Sequence, residues 1–80
     1  MEIYTVTGDA MEPEYYDGDW VRVVPARELD FGEVGLFLVG TVQLLREYGP
    51  GGLYPKNPNY PMLPQEGVEI IGKVVGKVER

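Results

Sequence analysis

The sequence is most informative in the residue types that it lacks, since its 80 residues include no cysteine, no histidine and no serine. Without cysteine there is neither a disulfide framework nor a thiolate metal site, and without histidine the commonest transition-metal ligand and general base are missing. The absence of serine excludes serine nucleophiles, including those of Ser-His-Asp triads. Glycine interrupts the apolar stretches every few residues, so the sequence predicts no transmembrane helix.

Charge is also one-sided, with 13 acidic and 7 basic residues and a formal net charge of -6 at pH 7. Nine of the acids lie in residues 1–40, where Arg22 and Arg27 are the only bases. Because negative charge opposes binding to phosphates, the composition favours protein partners and predicts no direct nucleic-acid contact and no membrane association. The sequence opens on an acid rather than on a basic segment and an apolar run, so we expect no signal peptide and a cytoplasmic location.

Eleven glycines and seven prolines punctuate the sequence so often that no long helix fits. The segments between them are rich in β-branched and aromatic residues, which favour strands. Strands are predicted at residues 3–7, 20–24, 34–39, 42–48, 53–54 and 68–78, and residues 56–64 are predicted to be extended, irregular chain because of their prolines. The pattern predicts an all-β fold of six to seven short strands, in a single domain over residues 1–80 with no helix-turn-helix.

Three local features sharpen this prediction. Residues 34–39 are almost all apolar, so both faces of that strand are expected to be covered. Gly40-Thr41 is typical of a tight hairpin turn. Gly72 and Gly76 interrupt the longest β-prone segment, which indicates bulges or a close approach of another backbone.

The most specific pattern in the sequence is Gly8-Asp9-Ala10-Met11-Glu12-Pro13, followed by Gly18-Asp19 ahead of a hydrophobic strand. It resembles the active-site box of the LexA-like serine-lysine peptidases. That family includes the C-terminal domains of phage repressors of the CI type and the UmuD proteins, with type I signal peptidases as distant relatives. Four further segments are similar to family segments in the same order, and they read LDFGEVG at 29–35, TVQLL at 41–45, NPNYP at 57–61 and IIGKVVG at 70–76.

The resemblance implies a small, strongly bent antiparallel β domain of the LexA C-terminal type, with a β-clip-like arrangement. The family's chemistry needs a serine hydroxyl beside a lysine whose pKa is lowered enough to accept a proton. The resemblance puts Ala10 at the serine position and Gln43 at the lysine position. Neither a methyl group nor an amide can perform these steps, so we expect no peptidase activity from the chain as written.

No other residue offers an obvious replacement. Thr7 has a hydroxyl but lacks a paired base, Arg46 does not deprotonate in a protein, and Lys73 lies where the family has an ordinary variable residue. Self-cleaving members carry their scissile pair ahead of the first strand, and none is expected here because that strand begins near residue 3. The remaining motif residues are expected to shape the cleft around the two substituted positions: Gly8, Asp9, Met11, Pro13, Gly18 and Asp19.

The resemblance therefore implies a non-catalytic LexA-like domain that acts as the dimerisation or regulatory module of a phage-type transcriptional repressor. A homodimer would form through the C-terminal strand region. Two alternatives stay open: a serine-lysine autopeptidase inactivated naturally or by engineering at Ala10, and a pseudo-peptidase that holds a peptide or protein partner in the degenerate cleft. No cofactor and no metal are expected, because the acids of residues 9–19 lack the order of a calcium loop.

Overall fold

The computed structural model describes residues 2–79, and in that part of the chain every regular element is a β-strand. The strands form one antiparallel sheet in the order β1-β2-β7-β3-β4-β5-β6. This arrangement confirms the predicted all-β fold. The strands are β1 (Glu2–Thr5), β2 (Trp20–Pro25), β3 (Val34–Val39), β4 (Val42–Gly49), β5 (Gly52–Tyr54), β6 (Leu63–Pro64) and β7 (Val68–Lys77).

The predicted strands lie within two residues of the observed ones at each end. Gly40 has φ +64° and Val39 pairs with Val42, so Gly40-Thr41 forms the predicted hairpin turn. The segment predicted to be irregular contains one further short strand, β6, in which Leu63 pairs with Leu53 of β5. The two-residue length of β6 and the prolines on both sides of Leu63 explain why its sequence carried no strand signal.

Strand β3 is covered on both of its faces, as its apolar sequence predicts. Leu36 belongs to the main core cluster, while Phe37 is fully buried beside the ring of Tyr48 at a centroid distance of 6.3 Å. Consecutive strand residues point to opposite faces, which places these two side chains in different layers. The main cluster contains Val6, Met11, Tyr15, Val21, Val23, Leu36, Leu45 and Val74.

Strand β7 joins the two halves of the sheet. Its residues Val68–Lys73 pair with β3, and its residues from Gly72 to Lys77 pair with β2. The register shifts at two places, where Ile71 and Val75 have no Cα partner, and these shifts lie beside Gly72 and Gly76 as predicted. Because β7 lies inside the sheet, much of its hydrogen-bonding capacity is used within the chain. No helix in residues 2–79 has the length and apolarity needed to cross a membrane.

Candidate functional site

The loop between β1 and β2 carries the motif residues, and backbone hydrogen bonds close it at its base. Val6 N–H donates to the Asp19 carbonyl and Gly18 N–H donates to the Val6 carbonyl, both at 2.8 Å. Gly8 N–H donates to Asp17 Oδ1 at 2.7 Å. Gly8 and Gly18 have φ values of +80° and +89°, a conformation that residues with a Cβ rarely adopt. Of the predicted cleft residues, Gly8, Gly18 and Asp19 therefore hold the loop closed.

Ala10 and Met11 lie at the inner side of this loop and are buried, with Met11 in the main core cluster. Glu14 N–H and Tyr15 N–H both donate to the Met11 carbonyl at 2.9 Å, which makes a single helical turn after Ala10. Pro13, joined to Glu12 by a cis peptide bond, is exposed on the outer side of the turn. The turn thus orients Ala10 inward, whereas Pro13 does not line the cavity described below.

A second segment, residues 56–60, fixes the backbone on both sides of Ala10. Lys56 N–H and Asn57 N–H donate to the Ala10 carbonyl at 3.1 and 2.9 Å. The Asn57 side-chain amide donates to the Asp9 carbonyl at 3.0 Å, and the Tyr60 hydroxyl donates to the Asp9 carboxylate. These contacts give the NPNYP segment a physical role that sequence reasoning missed. The close pairing of an Asn and a Tyr with the GDAMEP turn could be seen only in three dimensions.

Ala10 and Gln43, far apart in the sequence, line the same small depression. Its volume is about 10 Å³, close to the space of one water molecule. The Tyr4 hydroxyl donates to the Gln43 carbonyl at 3.3 Å, which ties β1 to β4 beside it. The full lining is Tyr4, Val6, Thr7, Ala10, Met11, Gln43, Leu44, Leu45 and Arg46.

Each of the chain's three lysines forms an ion pair. Lys56 binds Glu47 and, at 3.3 Å, Glu14; its hydrogen bond to Glu47 raises the pKa of its amine. The hydrogen bond of Lys73 to Glu33, at 2.6 Å, raises its pKa in the same way. Lys77 lies 3.5 Å from an Asp19 carboxylate oxygen. A general base needs the opposite change, a pKa lowered toward neutrality, and the surroundings of Lys56 and Lys73 stabilise the charged form.

Arg46 is the cation that lines the depression. Its Nη1 donates to the Leu45 carbonyl at 2.8 Å, while its Nε is buried with no hydrogen-bond partner in residues 2–79. Burial lowers the pKa of the guanidinium, and the neighbouring Tyr60 and Tyr4 oppose that shift. An arginine stays charged in such surroundings, so it supplies a fixed positive charge rather than a base. The sequence had identified Arg46 only as a residue that cannot act as a base.

The fold and the two-segment site agree with the comparison against protein families. The family model described as Peptidase S24-like matches residues 2–75, nearly the whole described chain, and the chain belongs to that family. The resemblance to LexA-like domains is thereby confirmed. A search of curated proteins gives no match. Among residues 2–79, no group of three or more acidic side chains is arranged to hold a metal ion.

Proposed function

We propose that this Peptidase S24-like domain is non-catalytic and acts by binding. The observation that carries the proposal is that Ala10 and Gln43 line one depression, where the family resemblance places its serine and lysine. A methyl group and an amide therefore occupy the positions of the nucleophile and the base. Thr7 lines the same depression, but no lysine does, and Lys56 next to Ala10 is held by two carboxylates.

Labelling by an alkyl fluorophosphonate, which modifies activated serine hydroxyls, tests this assignment. We expect no adduct on the wild type, on Ala10→Ser or on Gln43→Lys, and an adduct on the double variant, measured by intact-protein mass spectrometry. In the double variant the new hydroxyl and amine would share the depression, and the nearby Arg46 charge would lower the amine pKa. An adduct on the wild type would contradict the non-catalytic role. An unlabelled, folded double variant would contradict the assignment of the two positions.

The binding partner proposed first is a second copy of the chain, in the dimerisation or regulatory module of a cytoplasmic transcriptional repressor. The excess of acidic residues supports a role without direct nucleic-acid contact. In such a role the domain would bring two DNA-binding units together, and the spacing of those units would follow from the dimer's two-fold symmetry.

A groove beside the first half of β7 is the surface that best supports this dimer. The groove has a volume of about 630 Å³ and is lined by residues 25–27 and 68–71. Residues 68–70 have Cα partners in β3 alone and Ile71 has none, because β2 joins β7 only from Gly72 onward. Apolar Ile70 and Ile71 lie in the groove together with the opposite charges of Arg27 and Glu69. In a two-fold dimer that sets Arg27 of one copy against Glu69 of the other, this contact would form twice.

Charge reversal tests this interface. We expect Glu69→Arg or Arg27→Glu to raise the dissociation constant of the dimer at least about tenfold, because two-fold symmetry repeats each repulsive contact. The double reversal should restore association, as measured by sedimentation equilibrium at low salt. Glu66→Arg is the matched control, since Glu66 is exposed but lies outside the groove lining. A wild type that stays monomeric at high micromolar concentration would contradict the dimer.

A second candidate function, a cleft that holds a peptide without cutting it, is favoured by one observation. The depression at Ala10 and Gln43 is also lined by Arg46, and no acidic side chain in residues 2–79 forms an ion pair with this arginine. Unused hydrogen-bonding capacity of this kind suits a ligand rather than a packed core.

A further inference from the structure

We propose that the depression binds a carboxylate presented by an extended peptide, with Arg46 as its anchor and the Gln43 amide as a second donor. The inference rests on the peptide-holding function and adds the chemistry of the bound group. It follows from three features of the depression: an unmatched charge, two donors that are free to act, and a size that admits a single oxygen.

The unmatched charge belongs to Arg46. The four ion pairs in residues 2–79 involve the lysines, and none of them includes this guanidinium. A partly buried cation loses hydration, and this loss is usually offset by an anion. Here one protein carbonyl, that of Leu45, accepts a hydrogen bond from it. A ligand carboxylate would supply the missing negative charge and would accept a charge-assisted hydrogen bond from the guanidinium.

Some polar groups near the depression already make hydrogen bonds within the chain, and others do not. The Tyr4 hydroxyl donates to the Gln43 carbonyl, and the Tyr60 hydroxyl donates to the Asp9 carboxylate. The side-chain amide of Gln43 is exposed and makes no hydrogen bond in the described part of the chain. Arg46 and Gln43 therefore offer unused donors on one depression. At position 43, where the family resemblance places a lysine base, the chain has the hydrogen-bond donor of a glutamine amide.

The electrostatics of the depression favour a carboxylate over a phosphate, and its size limits how far either group enters. A volume of about 10 Å³ admits one oxygen atom, so the rest of the group must lie outside, continuous with an extended chain. Asp9 lies close by, bound to Tyr60, and its negative charge opposes an anion that carries more than one charge. A singly charged carboxylate gains the attraction of Arg46 with the least repulsion from this acid.

Four short peptides used as probes test the inference and identify the source of the carboxylate. N-acetyl-Ala-Gly carries a terminal carboxylate and N-acetyl-Ala-Gly-amide does not; N-acetyl-Ala-Glu-amide carries a side-chain carboxylate and N-acetyl-Ala-Gln-amide does not. We expect at least one acid to bind about tenfold more tightly than its neutral counterpart, because charge-assisted bonds to Arg46 are lost with the charge. Binding would be followed by NMR through the Arg46 Nε–H resonance and the backbone amides of residues 8–11 and 43–46.

Two variants assign the preference to these residues. Arg46→Gln should remove the preference for the acid over its neutral counterpart. Arg22→Gln is the control and should keep that preference, because Arg22 is exposed on β2, outside the depression. If Arg46→Gln does not fold, the exposed Gln43→Ala serves instead and should reduce the preference.

The outcomes separate the two proposals. Equal binding of acids and neutral peptides would overturn the carboxylate site and leave the peptide-holding function intact. If no peptide shifts these resonances, both are overturned. A preference that survives Arg46→Gln would overturn the role of Arg46.

Discussion

The Phe37→Ala variant should lose about 3–5 kcal/mol of unfolding free energy, the largest loss expected from any single truncation in this chain. Phe37 is 0% exposed and lies on the layer opposite the main core cluster, against Tyr48. Removing the ring would leave a cavity that β3 cannot close, because its backbone pairs with β4 on one side and β7 on the other. For a domain of this size the melting temperature should fall by more than about 12 °C.

Phe31→Ala is the matched control. Its ring also contacts Tyr48, at a centroid distance of 5.7 Å, but Phe31 is 66% exposed. Its truncation should cost less than about 1 kcal/mol. Urea denaturation followed by circular dichroism would compare the two variants. Similar losses for both would contradict the view that the second layer is a true core.

The local rules of strand formation were sufficient to predict most of the strands from sequence. Residues 34–39 are a clear case, because a continuous apolar strand needs cover on both faces, and Leu36 and Phe37 receive it from different layers. Strand order is set by non-local pairing, which local patterns do not encode. Nothing in the sequence of residues 68–78 shows that β7 lies between β2 and β3.

The candidate site could be predicted only in part, because it too depends on contacts between segments that are distant in the sequence. The resemblance named Ala10 and Gln43 as a pair, and the structure places both on one depression. The roles of Asn57 and Arg46 depend on contacts between distant segments. Asn57 lies in a segment predicted to be extended, irregular chain, yet its side-chain amide donates to the Asp9 carbonyl. From the sequence, Arg46 was predicted only to be unable to act as a base, and its partial burial near Tyr4 and Tyr60 is evident only in the structure.

Gly72→Ala should also be strongly destabilising, because Gly72 lies at the crossing point of the sheet, where β7 pairs with both β2 and β3. It pairs with Pro25 of β2 and with Leu36 of β3. An added Cβ would lie 2.5 Å from Val23 Cγ1 and 2.6 Å from the Val24 carbonyl oxygen. The valine side chain could rotate, but the carbonyl belongs to a paired strand and cannot withdraw without breaking the β2–β7 ladder. We expect a loss of about 3 kcal/mol, at the upper end for overpacking.

Val75→Ala is the control for this position, since Val75 lies on the same strand and is 50% exposed. Its truncation should change the unfolding free energy by less than about 1 kcal/mol.

Thermal unfolding would measure the stability of both variants, and hydrogen exchange would show which strands lose protection. In the Gly72→Ala variant the amides of β2 should exchange faster, while those of the β3–β4 hairpin should keep their relative protection. That hairpin's register depends on Gly40 and on its own cross-strand pairs, not on the space beside Val24. Equal hydrogen-exchange protection of the β2 amides in the two variants would contradict this prediction, because it would show that the sheet accommodates the added methyl group without loss of the β2–β7 pairing.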